Sequence, residues 1–472
     1  MKARIPTLIP RTLCLAVLLL FLGLGIPAAR AQYAPPNAVN DDVVLTGTHA
    51  VTFDPLANDS DPNSFPLTIT SVSQPSLGNV SWTGSSVTYT PHINFEAFAG
   101  ADAFTYTISD GYNTATAQIF VGNPFYLQKG NFAGTLNNPG GGYVTMTTTL
   151  TGVFTGKLRL PGLTYNLLGT FSTSGSYSAT IGGKPLTLQF DVANLTGAQF
   201  GQYAISGSYN GVGFTAYHAL YNSISNPAPE VGYYTMLLPA VSGSNPAVPS
   251  GSSFGVMDVT EAGYVTIVGY MSDGIAFTDG VFITGGTDAL SNNFPLYVSL
   301  AYKVPGSITG SLTFENIPGI SDCDGQVTWM KPAQAAYLLY PTGFTTTLTA
   351  VGARYIEPPL RTLALNLPNT TPNASVSLTE PNFDVPIYHQ LSITTTVRAS
   401  VDNVSVINPG ADKFTLSIAA STGIFTGSFI DPLTGKLVGI KGVLLYKQTR
   451  AAGFFLSPTQ SGNVGIWPAE NE

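Results

Sequence analysis

Charge is what this sequence has least of. Asp, Glu, Lys and Arg make up 9% of its 472 residues, where ~25% is ordinary for a soluble domain. Basic side chains are the scarcer kind, 18 against 26 acidic ones. Nucleic acid and anionic lipid are held by clustered Lys and Arg, so both are poor partners for this chain. Histidine occurs only at His49, His92, His218 and His389. None lies in an H-E-x-x-H or a G-x-S-x-G context, which removes the usual sequence marks of zinc proteolysis and of serine hydrolysis. "YHALY" and "IYHQL" read as plain strand positions. Cysteine occurs only at Cys14 and Cys323.

The N-terminal segment is expected to leave the protein. Lys2, Arg4 and Arg11 precede an apolar run from Leu13 to Ile26, followed by Ala29-Arg30-Ala31. This is the pattern of a secretory signal, residues 1–31, with cleavage after Ala31. The run is shorter than the ~20 residues that span a membrane comfortably. No later stretch is apolar for long enough to cross as a helix. Loss of the segment takes four basic residues and no acidic ones, leaving 14 Lys and Arg against 26 Asp and Glu, a net charge of −12. Cys14 goes with it. Cys323 is then alone, an internal disulfide is excluded, and stability rests on buried apolar area.

What is present points to strands. Runs rich in Val, Ile, Thr, Tyr and Phe are punctuated by Gly, Pro, Asn and Asp, and apolar residues at helical spacing are rare. The fold class is all-β. Seven candidate strands lie between Ala34 and Val121, from "VVLTG" to "TATAQIFV", and their spacing suits a small antiparallel sandwich over 34–122. In "DAFTYTISDG", Phe104, Tyr106 and Ile108 alternate with Thr105, Thr107 and Ser109, one face for the core and one for water. Residues 123–472 form a repetitive meander. "TGVFTG" (151–156) and "TGIFTG" (422–427) differ at one position, and "EAGYVTIVGYMSDGIAFTDGVFI" is a looser middle copy. Gly alternating with Phe and Leu suits a closed barrel or stacked sheets. The segments 239–253 and 357–375 are candidate linkers or long loops, so 123–472 is either one large β domain or two subdomains with a break near one of them.

The N-terminal module also resembles a known family. "NAVNDD", "LANDSDPNSFPLTITSVSQPSLGNVSW", "VTYTP", "NFEAFAGADAFTYTISDG" and "TATAQIFV" occur in the order found in bacterial cadherin-like, Ig-like adhesin repeats. The likeness covers about a fifth of the chain. Residues 123–472 resemble uncharacterised repeat regions of secreted bacterial proteins, which carry no known activity. The family implies a secreted or cell-surface location, an extracellular protein or glycan as partner, and calcium as a candidate ion. "PLANDSDPNSFPLTI" supplies Asp59, Asp61 and Asn63 at alternate positions, and Asp41 and Asp42 lie near the start of the module. Calcium takes oxygen ligands on a wrapping loop. An Asn/Asp/Pro turn bonded to its own backbone uses the same residues. Phe65 stands where the family places a further acid. Both readings stay open at this point.

The remaining motifs have plainer readings. "SDCDGQVTW" is no EF-hand, because the twelfth residue from Asp322 is Ala333; it reads as a turn into a strand, with Cys323 as a small core residue. Glu230, Glu261, Glu315 and Asp273 are candidates for a glycosidase pair, which would meet in space and not in sequence, or else surface and turn carboxylates. Tyr233 and Tyr234 hint at a glycan platform. No catalytic residue and no organic cofactor is assigned. Three functions are therefore carried forward. The first is a secreted adhesion or structural protein, the second a carbohydrate-binding or carbohydrate-active protein. The third is an outer-membrane β-barrel, disfavoured by the final "PAENE" and by the lack of an aromatic girdle.

Overall fold

The computed structural model describes residues 33–45, 49–92, 101–123, 125, 129–138, 140–172, 174–190, 203–240, 245–285, 292–359, 365, 367–368, 370–394, 401–407, 409–458 and 460–469. The expected secretion signal lies outside these residues. The chain divides into two compact units, an N-terminal one and a larger one that carries everything from Val121 onward.

The N-terminal unit is a two-sheet sandwich. One sheet orders Asp41–Val44, Thr114–Gly122, Ala101–Ser109 and Thr68–Val72; the other orders Val51–Phe53, Val87–Pro91 and Gly78–Trp82. All seven expected strands are present. Phe104, Tyr106 and Ile108 are buried as their alternation requires, and Tyr89 stacks on Phe104 with centroids 6.1 Å apart. The Tyr89 hydroxyl donates to buried Asp102 at 2.8 Å, and the same carboxylate accepts from Ser76 N and Leu77 N.

The larger unit holds three eight-stranded antiparallel sheets. The first runs from Gly130–Thr135 to Val212–His218, the second from Gly232–Leu238 to Phe344–Arg354, and the third from Ala374–Thr379 to Ser461–Pro468. The third is a closed barrel, its first strand paired with both its second and its eighth. The other two share one strand order, 4-3-2-1-8-7-6-5, so each curls around with its fourth and fifth strands as the terminal pair. Both are called barrels below. The connection 357–373 leads into the third barrel, whereas 239–253 joins the first two strands of the second.

Side-chain alternation decides what fills these barrels. In Lys184–Phe190, Leu186, Leu188 and Phe190 are buried while Pro185, Thr187 and Gln189 are exposed. In Thr415–Ala419, Leu416 and Ile418 are buried while Thr415 and Ser417 are exposed. Each interior is a continuous apolar cluster. A lipid-facing barrel needs the opposite, apolar outside and polar inside. The outer-membrane reading is therefore corrected by the direction in which these side chains point. A separate apolar seam of Leu237, Phe254, Ala353, Val443, Leu445, Ala452 and Phe454 packs the second barrel on the third, where Thr235 Oγ1 also donates to the Leu444 carbonyl at 2.5 Å.

The repeated strings mark a local device, not a repeated barrel. "TGVFTG" opens the third strand of the first barrel, Val153–Leu160; "TGIFTG" opens the fifth strand of the third, Ile424–Ile430. In each case the turn glycine's carbonyl accepts from the backbone N–H at the far end of the following hairpin: Phe171 N to Gly152 at 3.0 Å and Leu444 N to Gly423 at 2.8 Å. The middle copy does the same with Ile283 N and Gly263 at 2.8 Å. The second glycine of each string lets strands coil closely. A Cβ on Gly156 would lie 2.1 Å from the Thr145 carbonyl oxygen, and one on Gly427 would lie 2.0 Å from that of Thr415.

Gly427→Ala should therefore destabilise the chain by about 3 kcal/mol, the scale of an overpacked core site. Gly439→Ala, in the same barrel, meets nothing closer than 3.9 Å and should change the urea midpoint little. Equal effects at the two positions would contradict the close-coiling role.

Candidate functional site

The five calcium candidates do not assemble into one shell. Pro55–Asn58 forms a 3-10 turn capped by the Asp54 carboxylate, which accepts from Leu56 N at 2.9 Å. Asp61 closes the next turn on its own backbone, accepting from Asn63 N at 2.8 Å and Phe65 N at 2.9 Å. Asp59 turns inward. It accepts from Val39 N at 2.7 Å and lies 3.0 Å from the Tyr106 hydroxyl. Asp41 bonds the same hydroxyl. Burial raises the Asp59 carboxyl above its usual range, and the Tyr106 hydroxyl well above its own. Asp42 and Asn63 are exposed. Calcium takes about six to eight oxygens, and among the described residues no group of three His, Cys, Asp or Glu is placed to hold a metal ion. Two carboxylates meet, and the residues present do not complete a calcium shell.

Phe65, the residue in place of an acid, has its own role. Its ring meets Tyr33 edge-on at 4.9 Å and Tyr112 at 5.1 Å, and those two rings lie 4.6 Å apart. An aromatic cluster clamps the loop where the family pattern has a charged side chain.

The other candidates are scattered. Glu261 and Glu315 are exposed. Glu230 accepts from Asn292 at 2.5 Å, and burial raises its carboxyl. Asp273 is buried beside Lys331. His218 packs edge-on against Phe132, with its basicity lowered by burial; His389 pairs with Asp412 at 2.8 Å. Cys323 is fully buried and its thiol is pushed well up. Asp322 accepts from Lys447 at 2.5 Å and caps Arg354 N. Tyr234 enters the second barrel's core and Tyr233 packs on Tyr355, so neither ring is presented to a sugar.

The concave site is one that sequence reasoning did not find. A cleft of about 520 Å³ lies between the outer face of the first barrel and the third and fourth strands of the second, Tyr264–Tyr270 and Ala276–Phe282. Asn131, Thr145, Thr147, Thr155 and Lys157 line one wall, Tyr264 and Phe282 the other. Their floor is an ion pair between barrels: Arg159 Nη1 lies 2.7 Å and Nη2 3.2 Å from the two oxygens of Asp279. The guanidinium rests 4.7 Å over the Tyr143 ring, a cation–π contact. The hydroxyls of Tyr143 and Tyr297 are buried and have no hydrogen-bond partner among the described residues. Such orphaned donors are costly unless a water or ligand reaches them. Alternation would have shown Thr145, Thr147, Thr155, Lys157 and Arg159 to share an outer face. It could not have supplied Asp279, which lies 120 residues further on.

Comparison with known proteins bears on the N-terminal unit. Residues 33–122 match the family model described as a bacterial Ig domain. The N-terminal module is an Ig-like domain. No curated protein matches the chain. Among solved structures, an endo-fucoidan hydrolase of glycoside hydrolase family 107 aligns at 13% identity over 50% of this chain, with a TM-score of 0.15. The chain spans 29% of that hydrolase's length. A quinonprotein alcohol dehydrogenase-like protein from Bacteroides thetaiotaomicron aligns at 9% identity over 93% of this chain and 99% of its own, with a TM-score of 0.12. At those scores neither bears on fold or activity.

Removal of Arg159 tests the floor of the cleft. Asp279 already has its carboxyl raised by burial, with Arg159 acting against the rise. Arg159→Met leaves a buried charge uncompensated and should destabilise by about 3 kcal/mol at neutral pH. A carboxyl raised in the folded state binds its proton more tightly than in the unfolded chain. The variant should therefore recover stability as pH falls through the folded value and lose it as pH rises. Chemical denaturation over a pH series from about 4, the ordinary aspartate range, to about 8 reads this out. A loss independent of pH would contradict it.

Proposed function

We propose that this chain is a secreted or surface-displayed structural and adhesion protein that acts by binding, without catalysis on its partner. The observation that carries the reading is the division of polar and apolar groups. The three barrel interiors are filled with apolar side chains, and the concave polar surface lies outside them, between the first two. The Ig-like domain supports the extracellular setting, because such domains are typical of surface proteins. In this reading the barrels are spacers and the cleft is the adhesive face.

One observation favours a glycan as the bound partner. The cleft sets the ring of Tyr264 among Asn, Thr, Lys and Arg side chains, a mixture of stacking face and hydrogen-bonding groups that suits sugars. The test has two arms on the full chain. Binding to extracellular polysaccharides on a glycan array, lost in Tyr264→Ala with Lys157→Ala, is the expected result. Release of reducing sugar from the same polysaccharides would overturn the non-catalytic reading. Binding unaffected by both substitutions would move the adhesive face elsewhere.

For calcium, the carboxylates to test are Asp41 and Asp59, which share Tyr106. Preferential binding to the folded state would raise the melting temperature. The incomplete shell predicts no shift between millimolar calcium and chelator, whereas a rise abolished by Asp59→Asn would establish the ion.

A further inference from the structure

A buried pair of opposite charges lies at one end of the second barrel. Lys331 ends the seventh strand, Cys323–Lys331, and Asp273 lies in the turn between the third and fourth strands. Both side chains are 1% exposed, with Lys331 Nζ 3.3 Å from Asp273 Oδ2. Aromatic groups enclose the pair. Nζ lies 4.1 Å from the centroid of the Tyr302 ring and 4.4 Å from that of Tyr337. The Tyr302 hydroxyl donates to the same Oδ2 at 2.6 Å and itself accepts from Trp329 Nε1 at 3.2 Å. Ile275 N approaches the other carboxylate oxygen at 3.3 Å.

An amine and a carboxyl held in contact, shielded from water and polarised by a phenol, are placed to condense. We propose that Lys331 and Asp273 form an intramolecular isopeptide bond, with Tyr302 as the proton relay. One proton passes from the Lys331 ammonium to Oδ2, which leaves a neutral amine facing a neutral acid. Nζ then attacks Cγ and the C–N bond forms. A second ammonium proton reaches Oδ2 through the Tyr302 hydroxyl, the Cγ–Oδ2 bond breaks, and the oxygen departs as water. The third proton remains on the amide nitrogen. Nothing is oxidised or reduced, and no co-reactant is needed.

The placement gives the bond a mechanical purpose. The two residues are 58 positions apart, and the segment between them contains both terminal strands of the second sheet, Ala276–Phe282 and Asn293–Leu300. A covalent link would hold the ends of the sheet together where its ladder does not. A cross-link that closes a long loop stabilises mainly by restricting the unfolded chain. The bond would supply what a disulfide cannot, since Cys323 has no partner cysteine once Cys14 leaves with the signal. This site is separate from the cleft and does not depend on its ligand.

Mass spectrometry of the purified full chain decides the matter. Condensation lowers the mass of the wild-type chain by about 18 Da, one water. A tryptic digest should contain the Asp273 and Lys331 peptides joined. Lys331→Met should have its full sequence mass. Asp273→Asn should form the same amide with loss of ammonia, about 17 Da. Tyr302→Phe should leave most of the chain unlinked; complete linkage in that variant would remove Tyr302 from the reaction. Separate Asp273 and Lys331 peptides from natively folded wild-type protein would overturn the proposal, and that result needs no variant to fold.

Discussion

An antiparallel sheet that curls must do something with its two edges. Unpaired N–H and C=O groups on an edge strand are costly if buried and invite association if exposed. The larger unit meets this constraint three times. The third barrel joins its first and eighth strands by a full ladder. The first brings its terminal strands together through Tyr177, whose hydroxyl donates to the Leu168 carbonyl at 3.1 Å, and through the packing of Tyr177 on Phe154. The second has a short bridge between Thr284 and Asn293, and Arg159 of the first barrel holds Asp279 on its terminal strand. Filled interiors, close glycines and the cleft between barrels follow from how each sheet is closed.

Closure also accounts for the composition. Serine, threonine and glycine dominate the outer faces because an inner face of Leu, Ile and Phe already supplies the core. Few charges are needed. Two pairs lock contacts, Arg159 with Asp279 and Lys331 with Asp273, while the buried carboxylates of Asp102, Asp110, Glu380 and Asp431 are held by hydrogen bonds. A buried ion pair is weak evidence of stability, but loss of one partner is severe. These pairs therefore act as locks on particular contacts more than as general stabilisers.

The sequence revealed what depends on neighbours along the chain. The seven strands of the Ig-like domain, the inward Phe104, Tyr106 and Ile108 and the buried Cys323 are local patterns, and each is found in place, whereas the turn expected in "SDCDG" falls earlier, at 318–320, and the strand already begins at Cys323. The pair "TGVFTG" and "TGIFTG" was legible as a repeat, although its unit is a hairpin. What was not legible depends on distance. The number of barrels is set by where ladders begin again, and no composition change marks those points; 239–253 reads equally as a linker or a long loop, and it connects two strands of one sheet. Arg159 and Asp279 are brought together across 120 positions, Asp273 and Lys331 across 58. The opening Asp-rich loop combined both cases. Its turn at Asp61 is local, whereas the meeting of Asp59 with Tyr106 needs the folded sandwich.

The third barrel is closed by a full backbone ladder, the second by one short backbone bridge together with side chains, and the first by side chains. Hydrogen–deuterium exchange on the full chain tests this most directly, because exchange reports local opening strand by strand. The account predicts that amides of Leu163–Thr170, Ser176–Ile181, Ala276–Phe282 and Asn293–Leu300 exchange before the rest of their barrels, while no strand pair of the third barrel opens early. Terminal strands as well protected as their neighbours in the first two barrels, or an early-opening pair in the third, would contradict it.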